Sequence, residues 1–448
     1  MLQRKAIGRF IQWKSAKDKK ALLVTGARQI GKTCAIREFA RSNYKNLLEI
    51  NFIDTPSAIK IFDSDLNADT LIPALTAFSQ KSLIPGETLI FFDEIQECPR
   101  ARTAIKFLVE DGRFDYIESG SLLGVNYKEV PSYPVGFEEV YQMFPLDFEE
   151  FCWANGVQEE TISYLKDCFD CKKTVNEAVH QKMLQLFRYF VIVGGMPAVV
   201  QSFVDSHDIA KSVQIQKDII ALYRQDITKY SKNDKNRIKD IFDRIPSELN
   251  SKNRRFSLAD INSNARMNRY ESSFMWLADA GVTLPCYNVK DLHLPLETNE
   301  LRNLMKVFMN DTGLLCAMSI GNIQFDILQG NLEINMGSII ENIIAQELTS
   351  NGFKLRYFDR KNLGELDFLI QKNNKLIVLE IKSGKDYHHH AALQKILYNE
   401  EWKIQCAYVF CTGNTEIDGK TTYFPLYMIQ FLQQDSLPES LVVNVDLP

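Results

Sequence analysis

Hydrophobic and polar positions along this chain fall into two regimes. From Lys20 to about Pro145, short apolar runs alternate with stretches whose apolar residues recur at helical spacing. That pattern predicts a parallel α/β sheet with helices on both faces. The runs are Ala21 to Thr25, Leu47 to Phe52, Leu89 to Phe92, Tyr116 to Glu118 and Val140 to Met143. Leu89 to Phe92 is apolar at every position, as a strand buried on both faces requires. Val130 to Gly136, with its prolines and glycine, is a loop. Beyond Pro145 the pattern is helical, through Phe148 to Trp153 and Val175 to Val193, until Gly194-Gly195-Met196-Pro197 breaks it. Ile209 to Tyr287 is again mainly helical. Within it, Ser257 to Ile261 and Asn268 to Ala280 read as two helices followed by a wing strand, Val282 to Tyr287, with Arg266 and Arg269 at the mouth of the second helix. Such an outline serves either to read DNA or to pack against another module.

The junction after the first apolar run changes the picture most. Gly26-Ala27-Arg28-Gln29-Ile30-Gly31-Lys32-Thr33 fits GxxxxGK[ST], with a strand before it and a helix, Cys34 to Arg41, after it. Glycines let such a loop turn its N–H groups around phosphate oxygens, and the helix N-terminus adds positive potential there. Gly26, Arg28, Gln29, Ile30, Gly31, Lys32, Thr33 and Cys34 are therefore the candidate nucleotide contacts, with Lys32 on the β- and γ-phosphates and the Thr33 hydroxyl on Mg²⁺. Leu89 to Phe92 ends in Asp93-Glu94. Asp93 is the expected Mg²⁺ partner and Glu94 the group that orients or deprotonates the attacking water. Ser119, at the end of the Tyr116 to Glu118 strand, is either a γ-phosphate sensor or part of a Ser-Gly turn with Gly120. Arg28, Arg100 and Arg102 are alternatives for stabilising transition-state charge.

Composition narrows the setting. The chain has 448 residues, 45% hydrophobic and 24% charged, with a net charge of −5. That length suits two to four domains, and the charge gives no global attraction to nucleic acid or to an anionic membrane. Basic residues instead cluster locally, at Lys229, Lys232, Lys235, Arg237 and Lys239, and at Lys252, Arg254 and Arg255. Nine cysteines without a secretory leader point to reduced thiols and a cytoplasmic protein with no membrane span. Cys168 and Cys171 form a lone CxxC without the second pair that a zinc site needs. His388, His389 and His390 read as mostly solvated.

The C-terminal third carries a second constellation. Gly364 to Ile370 alternates like one strand, Lys372 to Lys375 is a turn, and Leu376 to Lys382 returns. Alternation places Glu365 with Asp367 on one face and Glu380 with Lys382 on one face, so that Asp367 and Glu380 converge beside Lys382. Two carboxylates and an ammonium suit a second divalent metal and phosphate chemistry. Glu341, acidic within an apolar helical stretch, is a further candidate, either as a ligand or as a group that supports the ligands from behind.

In combination and order, GARQIGKT, FFDEIQ, SGS (Ser119 to Ser121), PLDFEEF (Pro145 to Phe151), GGMP, NDTGLL (Asn310 to Leu315), GSIIEN (Gly337 to Asn342) and GELDFL…LEIKSG resemble a prokaryotic family of AAA-type ATPases with a C-terminal domain of unknown function. The resemblance implies a P-loop ATPase domain over 1–208, a helical and winged-helix segment over 209–300, and a domain similar to PD-(D/E)XK nucleases over 301–448. It also implies ATP at Lys32 and Thr33, Mg²⁺ and water chemistry at Asp93 and Glu94, sensing at Ser119, and a nuclease-like signature at Glu341, Asp367, Glu380 and Lys382. Three functions follow as expectations: an ATP hydrolase that moves its attached domains, a slow nucleotide-dependent switch recruiting a protein or DNA partner, or an ATP-regulated metal-dependent nuclease. Oligomerisation is compatible with each.

Overall fold

A computed structural model describes residues 2–80, 82–120, 132–230, 234–251, 255–256, 267–319, 327–328, 336–384, 386–402 and 404–435. Ser121, Val130, Lys232, Lys252, Arg254, Ser257 to Ile261 and Arg266 lie outside them.

The N-terminal part runs α1 (Lys5–Ser15), β1 (Ala21–Thr25), α2 (Lys32–Asn43), β2 (Asn46–Asn51), α3 (Ala68–Ser79), β3 (Thr88–Asp93), α4 (Pro99–Asp111), β4 (Asp115–Ser119) and β5 (Glu138–Gln142). Its five strands are all parallel in the order β2-β3-β4-β1-β5. Both faces are covered. Leu22 and Val24 of β1 with Leu89 and Phe91 of β3 enter one apolar cluster, while Ala21, Leu23, Ile90 and Phe92 enter another. Inserting β4 between β1 and β3 leaves a crevice at the C-terminal strand edge, and α2 starts there.

Helices follow: α5 (Phe148–Ala154), α6 (Glu159–Asp170), α7 (Glu177–Val193), α8 (Pro197–Ser206), α9 (Ile209–Tyr230), α10 (Lys235–Leu249) and α11 (Met267–Asp279). The segment expected as a wing is β6 (Thr283–Val289). Rather than a free wing, it is an inner strand of a four-stranded mixed sheet, β7-β6-β8-β9, with β7 (Glu300–Met309), β8 (Arg356–Arg360) and β9 (Gly364–Leu366). After α12 (Thr312–Met318) and α13 (Met336–Ser350), a second five-stranded sheet has the order β10-β11-β12-β14-β13. Its strands are β10 (Phe368–Lys372), β11 (Lys375–Ile381), β12 (Cys406–Cys411), β13 (Glu416–Asp418) and β14 (Thr421–Pro425), with α14 (Ala391–Leu397) ahead of β12. The expected single strand Gly364 to Ile370 is thus two. The chain breaks at Asp367 and passes from one sheet to the other, so simple alternation does not relate Glu365 to Asp367. The β10–β11 hairpin forms as expected, with Asn373 and Asn374 both at positive φ.

One seam ties these regions together. The Asp311 carboxylate, fully buried at the N-cap of α12, accepts the Leu314 N–H (2.9 Å) and the Gly195 N–H (2.6 Å). Gly195 in turn offers its carbonyl to Leu146 N (2.7 Å), and a Cβ there would sit 2.0 Å from Leu146 O. The GGMP, NDTGLL and PLDFEEF segments therefore meet at one point, and the absence of a side chain at 195 is a steric requirement. Gly195→Ala is expected to abolish the soluble, folded protein or to depress its thermal midpoint sharply, read by circular dichroism. Asp311→Asn turns one acceptor into a donor facing a backbone N–H, a loss of about 1–3 kcal/mol, and is expected to lower the same midpoint by several degrees.

Candidate functional site

The loop between β1 and α2 has the geometry a phosphate cradle requires. Gly26 adopts φ 140°, and a Cβ on it would fall 2.2 Å from Met143 O, so only glycine fits. Gly31 is the N-cap of α2 and directs the first N–H groups of that helix into the crevice. The Lys32 ammonium folds back onto two loop carbonyls, Gly26 O (3.1 Å) and Ala27 O (2.8 Å). Burial pushes Lys32 down to about 8, against the raising pull of Glu94 and Asp93.

Asp93, 3% exposed at the tip of β3, gathers the surrounding strand and helix ends. Its Oδ2 accepts from Thr33 Oγ1 (3.0 Å) and Asn51 Nδ2 (3.0 Å), and its Oδ1 accepts from the Glu94 N–H (3.1 Å) and the Ser119 hydroxyl. Ser119 is buried. Glu94 takes the left-handed conformation (φ 54°), turns its carboxylate toward the cleft and accepts a hydrogen bond from Gln96 Nε2. Arg28 does not face the cleft alone: its Nη1 pairs with Asp226 on α9 (2.8 Å), while its carbonyl accepts from Tyr223 OH (3.1 Å). The two other arginine alternatives are structural. Arg100 donates to Phe62 O and Ser64 O, and Arg102 makes a buried, two-pronged pair with Glu138.

A cleft of about 500 Å³ is lined by Arg28, Gln29, Lys32, Thr33, Arg37 and Glu94. Beyond Gly31, Cys34, Pro197 and Ala198, which border both, lies a more apolar hollow of about 690 Å³ with Leu2, Ile7, Gly8 and Gln201 on its walls. Arg4 joins the two from behind, donating to Ile30 O (2.9 Å), Phe144 O (2.7 Å) and Glu150 Oε1 (3.1 Å). Sequence reading missed Arg4, Asn51, Gln96 and Asp226. For Asn51 a signal existed, because it stands in register with Asp93 at the same sheet edge. The others depend on tertiary contacts.

In the C-terminal region Lys382 Nζ lies 2.9 Å from Glu380 Oε1, and Asp367 Oδ2 accepts the Ile381 N–H (2.8 Å). Burial, with Asp367 adding like charge, raises Glu380 above the usual carboxylate range. Glu341, on α13, lies 3.4 Å from the ammonium of Lys306, a fully buried lysine of β7 that the sequence reading did not single out. Among the described residues no group of three or more His, Cys, Asp or Glu side chains is arranged to hold a metal ion. Cys168 is buried and Cys171 exposed, both free thiols. His388 and His389 are exposed, as a mostly solvated run implies, while His390 is buried with Nε2 3.1 Å from Tyr423 OH. No helix among the described residues is long and apolar enough to cross a membrane.

Comparisons with known proteins bear on the domains rather than on individual residues. Residues 18–152 match the AAA domain family. Residues 184–324 and 336–429 match two domains of unknown function, DUF8612 and DUF4143. No curated protein matches the chain. Among solved structures, the Walker-type ATPase of Pyrococcus abyssi is 13% identical, with 71% of this chain and 96% of that one covered at a TM-score of 0.42. The RuvB Holliday junction branch migration motor of Thermotoga maritima is 14% identical, with 63% and 89% covered at a TM-score of 0.28. Residues 18–152 are an AAA-type P-loop ATPase domain, and two domains of unknown function follow it.

Proposed function

We propose that this chain binds ATP with Mg²⁺ in the β1–α2 crevice, hydrolyses it, and transmits the change to the helical region through Arg28. The observation that carries the reading is the set of groups around Asp93: a buried carboxylate with the Thr33 hydroxyl within hydrogen-bond reach of one oxygen and the Ser119 hydroxyl within reach of the other. These hard oxygen donors suit Mg²⁺, which keeps most of its waters and takes one or two protein ligands. Thr33 and, through water, Asp93 would hold it, and it would neutralise charge on the β- and γ-phosphates.

The chain's own groups do the rest. Lys32 exchanges two neutral carbonyls for phosphate oxygens, and the loop and α2 N–H groups supply further donors. Glu94, reaching the cleft from a turn that fixes its backbone, orients the attacking water. Gln96 holds that carboxylate until a water competes for it. Ser119 senses the γ-phosphate from beside Asp93. The apolar hollow walled by Leu2, Ile7 and Pro197 accommodates the base. Asp226 faces Arg28 from α9, so any displacement of Arg28 toward phosphate breaks a link to the helical region.

A second reading concerns the C-terminal domain. Glu380 Oε2 is buried with no hydrogen-bond partner among the described residues, which favours a cation beside Asp367 and thus metal-dependent phosphodiester chemistry in a nuclease-like domain. Incubation with DNA or RNA and Mn²⁺, with Asp367→Ala as control, tests it; cleavage that persists in the control counts against the site. The partner, protein or DNA, follows from whether ATP turnover responds to added DNA.

Lys32→Ala is expected to eliminate ATP turnover; unchanged activity ends the ATPase reading. Glu94→Gln should retain binding while turnover falls about 10²–10⁴-fold, measured by phosphate release. A wild-type turnover far below about 1 s⁻¹ would favour the switch over the motor. Because free Lys32 titrates near 8 and phosphate favours its charged form, binding should take up a proton above that pH. ATP affinity is therefore expected to be flat below pH 8 and to fall as pH rises beyond it, with a calorimetric heat that changes with buffer ionisation enthalpy. Asp226→Asn, by releasing Arg28, should change ATP affinity and the protease sensitivity of α9 together; an effect on neither counts against the coupling.

A further inference from the structure

Four carboxylates lie around the β9–β11 corner: Glu341, Glu365, Asp367 and Glu380. They do not share one ligand. Lys306 enters from β7 with no exposed surface, its ammonium 2.5 Å from Glu365 Oε1 and 3.4 Å from Glu341 Oε2, over the Tyr357 ring at 4.9 Å. An unpaired ammonium in such a place would cost several kcal/mol, so its position is fixed by those two carboxylates. The strand break at Asp367 makes this division possible, since it sends Glu365 toward Lys306 and Asp367 toward Glu380. On the other side, Glu380 has one oxygen on Lys382 and the other buried without a partner.

We propose that Lys306 is a built-in counter-cation of the C-terminal site: it withdraws Glu341 and Glu365 from metal ligation and leaves Asp367 and Glu380 to hold a single divalent cation. The inference rests on the second reading above and assigns Glu341 a role different from that of a ligand. A site so built has room for one hard cation, completed by water, and the ammonium fills the place of a second. Lys306 touches no reacting atom in this scheme; it is a positioning residue that sets the metal count.

The test is Mn²⁺ binding to the full chain without nucleotide, followed by the electron paramagnetic resonance of free and bound ion. The wild type is expected to bind one Mn²⁺ that Glu380→Gln loses. Glu341→Gln keeps an acceptor for Lys306 and is expected to leave that affinity within about threefold, whereas loss of a true ligand would weaken it roughly tenfold or more. Lys306→Met frees two carboxylates and is expected to admit a second Mn²⁺. No Mn²⁺ lost on Glu380→Gln overturns both the cation site and the inference. A wild-type ion that Glu341→Gln weakens tenfold, or an unchanged count in folded Lys306→Met, leaves the cation site standing and overturns the role of Lys306. Should Lys306→Met not fold, Glu341→Gln decides alone.

Discussion

The N-terminal half depends on a single buried carboxylate. Asp93 accepts hydrogen bonds from the first turn of α2, the end of β2, the end of β4 and the backbone just beyond its own strand. A bare ionised carboxylate at 3% exposure would be strongly disfavoured. Four donors, three of them from other elements, make it tolerable and in doing so fix the distance between the phosphate loop and the strand that carries Glu94. The crevice is therefore assembled before any ligand arrives, and little reorganisation is left for binding to supply.

The same loop is braced from outside the sheet. Arg4 holds the Ile30 carbonyl from the N-terminal segment, Tyr223 and Asp226 hold Arg28 from α9, and Gly281, after α11, lies so close that a Cβ on it would sit 3.0 Å from Ala27 N. Further along, Phe148 N donates to Glu347 of α13 (2.9 Å), and Asp311 closes the seam with Gly195. One apolar cluster runs from Phe10 and Val24 through Ile241 to Phe368 and Phe424. Interiors packed in this way do not deform smoothly. A shift at Arg28 has packed helices directly behind it, which is why that contact stands at the centre of the proposed coupling.

Much of the first domain was legible in sequence because local signals and global fold agree there. Each apolar run between Lys20 and Pro145 became a strand within a residue or two, and the glycine-rich loop lies between strand and helix. Legibility declined where partners are distant in the chain. The alternation from Gly364 to Ile370 looks like one strand, yet Asp367 is given to the Ile381 N–H and the two halves join different sheets. A period of two reports burial on a face, not which sheet provides the face. His390 went the same way: its burial beside Tyr423 depends on β14, more than thirty residues on. Lys306 was invisible for a simpler reason. In Glu300–Met309 it reads as the polar member of an alternating strand, and nothing local states that two glutamates await it.

The two lysines show how one charge can serve opposite ends. Lys32 rests on neutral carbonyls in a partly open crevice, contacts worth about 1.5–3 kcal/mol at most for a charged donor, and a triphosphate offers stronger, charge-assisted partners in the same place. It is held loosely enough to be redirected. Lys306 is bound to two carboxylates with no exposed surface, and separating such a pair costs roughly 3–5 kcal/mol with nothing nearby to replace it. Its contacts are permanent. A mobile ammonium suits a site that must recognise and release a ligand in each cycle, whereas a fixed one suits a site whose charge is to be set once, when the chain folds.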